Sequence, residues 1–205
     1  TASIGYALFA IAGADVPNTI ELHAFEGGYC GCSHVENGRL NVCWIGSVDA
    51  LTDAGGSPEA MIETAVHQNP ALADRLAGTE RISDRFEAVS QVSLDRKGCF
   101  AQDVCMIGDT AQMIAPLCGD GMAMALAAAD LVVDPATAFL RGDAGPDSFR
   151  RRYRRAWSDA FSTRLRLGRW AHSAAFHPRA TSLLITAFRL APPLARWLIR
   201  STRGA

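Results

Sequence analysis

The sequence predicts a mixed α+β protein in which an antiparallel sheet is followed by a helical region. Strand-like runs fill the first quarter of the 205-residue chain and are separated by short turn signals. A short apolar run, "DVCMIGD", then leads through a proline-containing loop to a helix start flanked by glycines. From Pro146 onward, aromatic residues recur every four positions, which is the spacing of one face of a helix.

The sheet is predicted from four runs at about residues 4–12, 19–26, 27–35 and 39–46. The turn signals between them are "DVPN", Gly27-Gly28 and Asn37-Gly38. Strands that follow one another through short turns pair antiparallel, so we expect a β-meander. Further along, "RFEAVSQVSL" regains strand character, and "DVCMIGD" is typical of a short buried strand.

Asn37-Gly38 predicts a two-residue hairpin turn, because both residues readily adopt the positive φ that a type I′ turn requires. The residue numbers of two paired positions then sum to 75. This places Cys32 opposite Cys43, with Cys30 and His34 on the same face. Zinc sites use paired ligands at C-x(2-4)-C or H-x(3-5)-H spacing, and this cluster lacks them. We therefore expect no metal, and we expect Cys32 and Cys43 to be cross-strand neighbours that remain free thiols.

Capping residues predict the helices. Ser57-Pro58-Glu59 combines an N-cap, a first-turn proline and an acidic residue, and predicts a helix to about Gln68, while Asn69-Pro70 opens a shorter one. In the C-terminal region, "HPRA" and "APP" divide the chain into successive helices. The face that the first of these helices buries is predicted to hold Phe149, Tyr153, Trp157 and Phe161.

Charge is distributed unevenly. Residues 1–140 carry 6 basic and 18 acidic side chains, whereas residues 141–205 carry 14 basic and 3 acidic ones. The basic part lacks any nucleic-acid motif, so we expect no nucleic acid partner. Its arginines alternate with apolar clusters, which is typical either of a docking helix or of a helix at a membrane surface. No uninterrupted apolar run approaches the roughly 20 residues of a membrane span, so we expect no transmembrane helix and a cytoplasmic, or peripheral membrane, location.

The stretch "MIGDTAQMIAPLCGDGMAMAL" combines two features that suit one ligand. Asp109 would end the buried strand, where a fixed carboxylate can accept hydrogen bonds from adjacent hydroxyl groups. Gly119 and Gly121 flank a helix start, where free N–H groups and the helix dipole attract an electron-rich atom. The alternative is that Asp109 caps a turn and the glycines permit a tight entry into the helix.

The same stretch resembles the second flavin-binding motif of FAD-dependent oxidoreductases of the aromatic-hydroxylase and geranylgeranyl-reductase type, G-D-A-A…P…G-x-G. The segment "ELHAFEGGYCGCSHVENGRLNVCWIG" is similar to the sheet that these enzymes lay over the isoalloxazine ring, and the closing "TRG" resembles their C-terminal region. The resemblance implies that Asp109 binds the ribityl chain of FAD and that Pro116 lies alongside the ring. The backbone implied to face the pyrimidine edge belongs to Gly119, Asp120, Gly121 and Met122.

Two features depart from the family pattern. Gln112 stands where many hydroxylases have histidine, and no G-x-G-x-x-G occurs, so the Rossmann-like βαβ unit for the ADP half of FAD is missing. The chain is therefore expected to be the C-terminal half of an enzyme whose N-terminal half is its partner. Its segments would be a substrate-domain sheet with a helical insert (1–98), the second FAD-binding motif (99–134) and C-terminal helices (135–205).

The function implied is that of an FAD-dependent oxidoreductase, active only with the missing half. NAD(P)H would reduce the flavin, which then reduces or monooxygenates a small hydrophobic organic substrate. Tyr29 and Trp44 either line the substrate pocket or belong to the core, and no side chain identifies itself as catalytic. The alternatives are a non-catalytic binding module of the same fold and a peripheral membrane protein that acts on a lipid.

Overall fold

The computed structural model describes residues 2–10 and 19–203. Contacts divide the chain into two compact units. The first contains the residues up to 93 together with 174–184, and the second contains 94–173 and the residues from 185 onward. The predicted turn "DVPN" and the predicted end of the first strand lie outside the described residues.

The first unit is built on an antiparallel sheet of six strands. In chain order these are β1 (Ala2–Ala10), β2 (Ile20–Phe25), β3 (Gly28–Val35), β4 (Arg39–Ser47), β5 (Glu80–Arg81) and β6 (Glu87–Val92). Strands β2, β3 and β4 form the predicted meander, but β1 pairs with β4, and β5 and β6 both pair with β1. The meander prediction is therefore wrong for β1, because turn signals do not encode which sheet edge a strand joins.

The register of the β3–β4 hairpin differs by one residue from the prediction. Glu36, Asn37 and Gly38 form a three-residue loop, so partners sum to 74, and Cys32 lies opposite Val42. Asn37 and Gly38 have positive φ as expected, but one more residue belongs to the loop. Because successive side chains of a strand alternate between faces, Cys43 points away from Cys32. The predicted Cys32–Cys43 neighbourhood is therefore wrong.

Helices cover one face of this sheet. They are α1 (Val48–Asp53), α2 (Pro58–Gln68) and α3 (Pro70–Leu76). The predicted caps of α2 and α3 are confirmed, since the side chains of Ser57 and Asn69 accept hydrogen bonds from Ala60 N and Leu72 N. The core between sheet and helices includes Cys30, Cys32, Leu40, Val42, Trp44, Met61, Ala65 and Leu72.

The second unit is mainly helical. Its hairpin comprises β7 (Phe100–Ala101) and β8 (Val104–Cys105), and its helices are α4 (Gly121–Leu140), α5 (Pro146–Ala175), α6 (Pro178–Leu190) and α7 (Pro192–Thr202), although 174–184 belong to the first unit. The predicted buried strand "DVCMIGD" is wrong, because only two of its residues pair and Val104 is exposed. The breaks at "HPRA" and "APP" are confirmed.

The predicted aromatic face of α5 is also confirmed. Tyr153, Trp157 and Phe161 are buried, and Phe149 packs against the same core. They meet the inner side of α4 and the loop that precedes it through Ile114, Ala115, Cys118, Met124 and Ala128. The four-residue spacing of large apolar side chains therefore encoded the main packing surface of this unit.

Helix α4 is longer and more exposed than expected. It continues past residue 134, through Pro135, to Leu140. Its 20 residues have the length and the apolar composition that a membrane span requires, and the window with this composition is only 17% buried. The pair Arg179–Leu190 and Pro192–Thr202 meets the same criteria jointly but is bent by 113°. The expectation that no segment is long and apolar enough is therefore wrong on length and composition.

Candidate functional site

The loop that precedes α4 contains the residues of the predicted flavin motif. It includes two 3-10 turns, Gly108–Thr110 and Pro116–Cys118. Gly108 has a φ of +56°, and a Cβ atom at this position would lie 3.1 Å from the Cβ of Ala125 in α4. Because glycine tolerates both the conformation and the approach, the first turn rests against α4, and Asp109 lies on this turn.

Asp109 is exposed at the surface of the second unit. This differs from the buried strand tip that the sequence predicts, because β8 ends four residues earlier. Within the described part of the chain its carboxylate makes no hydrogen bond and no ion pair. Both oxygens can therefore accept hydrogen bonds from hydroxyl groups of a ligand.

The start of α4 is shaped by Gly119 and Asp120. Gly119 has a φ of +63° and ends the second 3-10 turn in the left-handed conformation. Asp120 occupies the N-cap position, but its side chain does not cap the helix. Instead the buried carboxylate accepts a hydrogen bond from Nη1 of Arg164 at 3.3 Å. The side chain that would ordinarily satisfy a first-turn N–H group is thus engaged elsewhere.

The first turn of α4 is open as a result. The first intrahelical hydrogen bond runs from Met124 N to Asp120 O, so the N–H groups of 121–123 have no partner within the helix. A Cβ atom on Gly121 would find its nearest neighbour, Cγ2 of Ile114, 4.0 Å away. The side chain of Met122 is 86% exposed. Open space beside free N–H groups fits the electron-rich edge of a flat ring.

Arg203 is a site residue that sequence reasoning does not single out. Its Nε donates a hydrogen bond to the carbonyl oxygen of Cys118 at 3.3 Å. One of its Nη atoms lies 3.6 Å from where a Cβ of Gly119 would be. Arg164 also reaches the helix start, but its charge is paired with Asp120, so the guanidinium group of Arg203 is the one that favours added negative charge there. The only sequence signal for this residue is its place in the closing "TRG".

Two other loop residues have separate surroundings. Pro116 is exposed, on the same loop as the open helix start. Gln112, the departure from the family motif, is buried and lines a cavity of about 270 Å³ with Trp157 and Arg166 of α5. The residue that departs from the family motif therefore forms part of the wall of that cavity.

Tyr29 and Trp44 lie on opposite faces of the sheet. Trp44 is paired with Cys30 and Gly5 and is buried on the face that the helices cover. Tyr29 is paired with Ile45, on the other face, where its ring packs edge-on against Phe176. The two rings cannot line one pocket. Both side chains are buried, which favours the interpretation of both as core residues, and Tyr29 shares its face of the sheet with the exposed Leu22.

The cysteines do not form a metal site among the described residues. All six are free thiols. A hydrogen bond between the neighbouring thiols of Cys30 and Cys32 raises the pKa of Cys30 and lowers that of Cys32, and burial raises the pKa of Cys43. Burial also raises the pKa of both Cys99 and Cys118 to about 11.

No protein-family model and no curated protein matches the sequence, but solved structures match the fold. The flavin-dependent brominase Bmp2 superposes with a TM-score of 0.74 at 14% identity, over 98% of this chain and 50% of that protein. The flavin-dependent halogenase CmlS superposes with a TM-score of 0.66 at 18% identity, over 81% of this chain and 30% of that protein. PqsL, a probable FAD-dependent monooxygenase from Pseudomonas aeruginosa, superposes with a TM-score of 0.60 at 16% identity. The match covers 90% of this chain and 51% of that protein.

These matches confirm the resemblance to FAD-dependent oxidoreductases at the level of the fold. The chain spans about half, or less, of the length of each of these proteins. It therefore has the fold of part of a flavin-dependent enzyme, which agrees with the expectation of a C-terminal part.

Proposed function

We propose that this chain is the part of an FAD-dependent oxidoreductase that holds the ribityl chain and the pyrimidine edge of FAD. The observation that carries the proposal is the open first turn of α4, found in a fold shared with flavin-dependent enzymes. FAD, when bound, supplies the two-electron transfer. The contribution of this chain is to bind and orient the cofactor.

Each element of the loop has a specific part in this proposal. The exposed carboxylate of Asp109 accepts hydrogen bonds from ribityl hydroxyl groups. The free N–H groups of 121–123 donate to the N1 and C2=O edge of the ring, with Pro116 alongside. The guanidinium group of Arg203 adds positive charge near the same helix end, whereas that of Arg164 is paired with Asp120. The site therefore favours the reduced flavin, which carries negative charge at that edge.

The substrate half-reaction differs among the matched proteins, whose names include a brominase, a halogenase and a monooxygenase. Their common element is the flavin. We propose a small hydrophobic organic substrate, bound on the sheet face that carries the exposed side chains of Ile20 and Leu22 beside the buried Tyr29. NAD(P)H is the proposed reductant.

A second half of the enzyme is the proposed partner. The matched proteins are about twice as long as this chain, or longer. Helix α4 exposes an apolar stripe at Met122, Leu126 and Val133, spaced four and seven residues apart. A nucleotide-binding half that packs on this stripe would cover it and complete the FAD site. Without that half, much of the contact to the ADP moiety is lost, so the 205-residue chain should bind FAD weakly.

Titration of the chain with FAD by isothermal calorimetry tests the proposal. We expect weak, saturable binding and a colourless protein after dialysis. Asp109→Ala should weaken binding by about 10- to 150-fold, which corresponds to the 1.5 to 3 kcal/mol of a charged hydrogen bond. Asp130→Ala, which removes an exposed carboxylate from α4, is the matched control and should leave affinity unchanged. Absence of saturable binding would contradict the proposed function, and a dialysis-resistant yellow complex would contradict the division into halves.

Gly121→Val tests the helix start separately. A branched side chain there would displace the ring from the N–H groups. We expect the wild-type chain to bind reduced FAD more tightly than oxidised FAD under anaerobic conditions, and the variant to lose this preference. Equal preference in both proteins would show that the start of α4 does not face the flavin.

A further inference from the structure

We propose that the end of α6 and the whole of α7 form a docking surface for a membrane of anionic phospholipids. The surface comprises the exposed residues between 185 and 200, so it excludes Arg203 and does not depend on the flavin proposal. Its exposed apolar side chains, each at least 44% exposed, are Ile185, Leu190, Leu194, Trp197 and Ile199. Such a density of exposed large apolar residues marks an interaction site.

The charge of this region has one sign. From residue 160 to the last residue the sequence contains eight arginines and no aspartate or glutamate. Arg189, Arg196 and Arg200 interleave with the exposed apolar residues, and each is exposed. Among the residues that the structure describes, none of these three guanidinium groups has an ion pair. Unpaired positive charge therefore accompanies the apolar surface.

Helix α7 has a defined inner and outer side. Thr202 is buried, and Ala195 and Leu198 are half-buried, at spacings of three and four residues. Arg196, Trp197 and Arg200 lie on the opposite, outer side, and Leu194 and Ile199 flank the inner side. The outer side thus carries a large aromatic residue beside arginines, and this is the composition of helices that lie in the headgroup region of a bilayer.

The shape favours a position on the membrane surface. Helices α6 and α7 together are long and apolar enough for a span, but they are bent by 113° at Ala191. Pro192 and Pro193 follow, and proline cannot continue the backbone hydrogen bonds of a preceding helix. A pair bent this sharply does not cross a bilayer as one rod. It can present both outer sides to an interface.

An anionic membrane fits this surface better than nucleic acid does. Nucleic acid would engage the arginines but would leave five large apolar side chains in water. Anionic lipids can bind both the arginines and the apolar side chains, because headgroup phosphates pair with the arginines while the apolar side chains enter the acyl boundary. Burial against a second copy of the chain would bring like charges together.

Vesicle flotation tests the proposal. The 205-residue chain is mixed with vesicles of phosphatidylcholine alone or with a quarter of phosphatidylglycerol, at low and high salt. We expect flotation with the anionic vesicles at low salt and at least tenfold less binding with neutral vesicles or at high salt. Arg196→Gln/Arg200→Gln should weaken binding about 25-fold, at about fivefold per charge. Trp197→Ser should weaken it about tenfold and leave its salt dependence unchanged.

Matched controls separate this surface from others. Arg151→Gln/Arg152→Gln makes the same change in net charge on the exposed side of α5 and should alter binding less than twofold. Leu126→Ser, on the exposed stripe of α4, should also bind normally. Circular dichroism confirms that each variant is folded. Failure of the wild type to float, equal losses in the α5 control, or loss on Leu126→Ser would overturn the proposal. The proposal would also be overturned if Trp197→Ser left vesicle binding unchanged and altered only the sedimentation coefficient of the chain in solution. That result would show that the surface joins two copies of the chain.

Discussion

Removing one partner of the ion pair between Asp120 and Arg164 should lower the free energy of unfolding by an amount that depends on which partner is replaced. Two unit charges 3.3 Å apart attract by about 5 kcal/mol at an effective dielectric constant of about 20. Desolvation of the buried carboxylate offsets much of this attraction. The side chain of Asp120 is 6% exposed, whereas that of Arg164 is 23% exposed. Only the arginine can therefore turn towards water when its partner is removed.

We expect Arg164→Ala to lower the free energy of unfolding by about 2 to 3 kcal/mol. This is below the 3 to 5 kcal/mol typical when one partner of a fully buried pair is removed, because the arginine is partly solvated. Asp120→Asn should cost only about 1 kcal/mol, since it leaves no buried charge and asparagine still suits an N-cap position.

Urea unfolding followed by circular dichroism measures both losses. Arg155→Ala is the matched control on the same helix, because its ion pair with Asp159 is exposed and should contribute about 0.5 kcal/mol or less. Equal losses for Asp120→Asn and Arg164→Ala would refute the asymmetry. A loss as small as that of Arg155→Ala would show that Asp120 does not depend on Arg164.

Two further predictions concern packing and pH. A Cβ atom on Gly5 would lie 2.6 Å from Cε2 of Trp44. Gly5→Ala should therefore lower the free energy of unfolding by about 1 to 3 kcal/mol in urea unfolding. Gly145→Ala is the control and should be near neutral, because a Cβ atom there would have no neighbour within 4 Å. Burial raises the pKa of Cys99 and Cys118 from 9.0 to about 11, so the unfolded state loses these protons first as pH rises. The stabilisation is present below pH 9 and is lost towards pH 11, and replacing either cysteine with alanine should reduce the slope of unfolding free energy against pH by about 1.4 kcal/mol per pH unit.

Local rules accounted for the elements whose signals lie within a few residues. Ser57 and Asn69 cap helices because their side chains accept hydrogen bonds from N–H groups three residues ahead. The aromatic spacing of α5 predicted its buried face, since side chains four apart lie one above another on a helix. The resemblance to a flavin enzyme likewise depended on short local motifs, above all the stretch from Met106 to Leu126, and the fold comparison supports it.

The hairpin shows where such rules end. Asn37 and Gly38 identified the turn, but only the folded chain decides whether Glu36 belongs to the loop or to the strand. One residue of difference moves Cys43 to the other face of the sheet. Side-chain alternation has a period of two, so an error of one residue in the loop reverses every assignment beyond it.

The sequence by itself determined the helix caps, the strand-rich and helical halves, and the glycines that keep the start of α4 open. Tertiary structure alone decided that Asp120 binds Arg164, 44 residues away, and that Arg203 reaches the carbonyl of Cys118 across 85 residues. It also placed Tyr29 and Trp44 on opposite faces. These contacts depend on which surfaces meet when the core is buried, and hydrophobic burial has no fixed spacing along the chain.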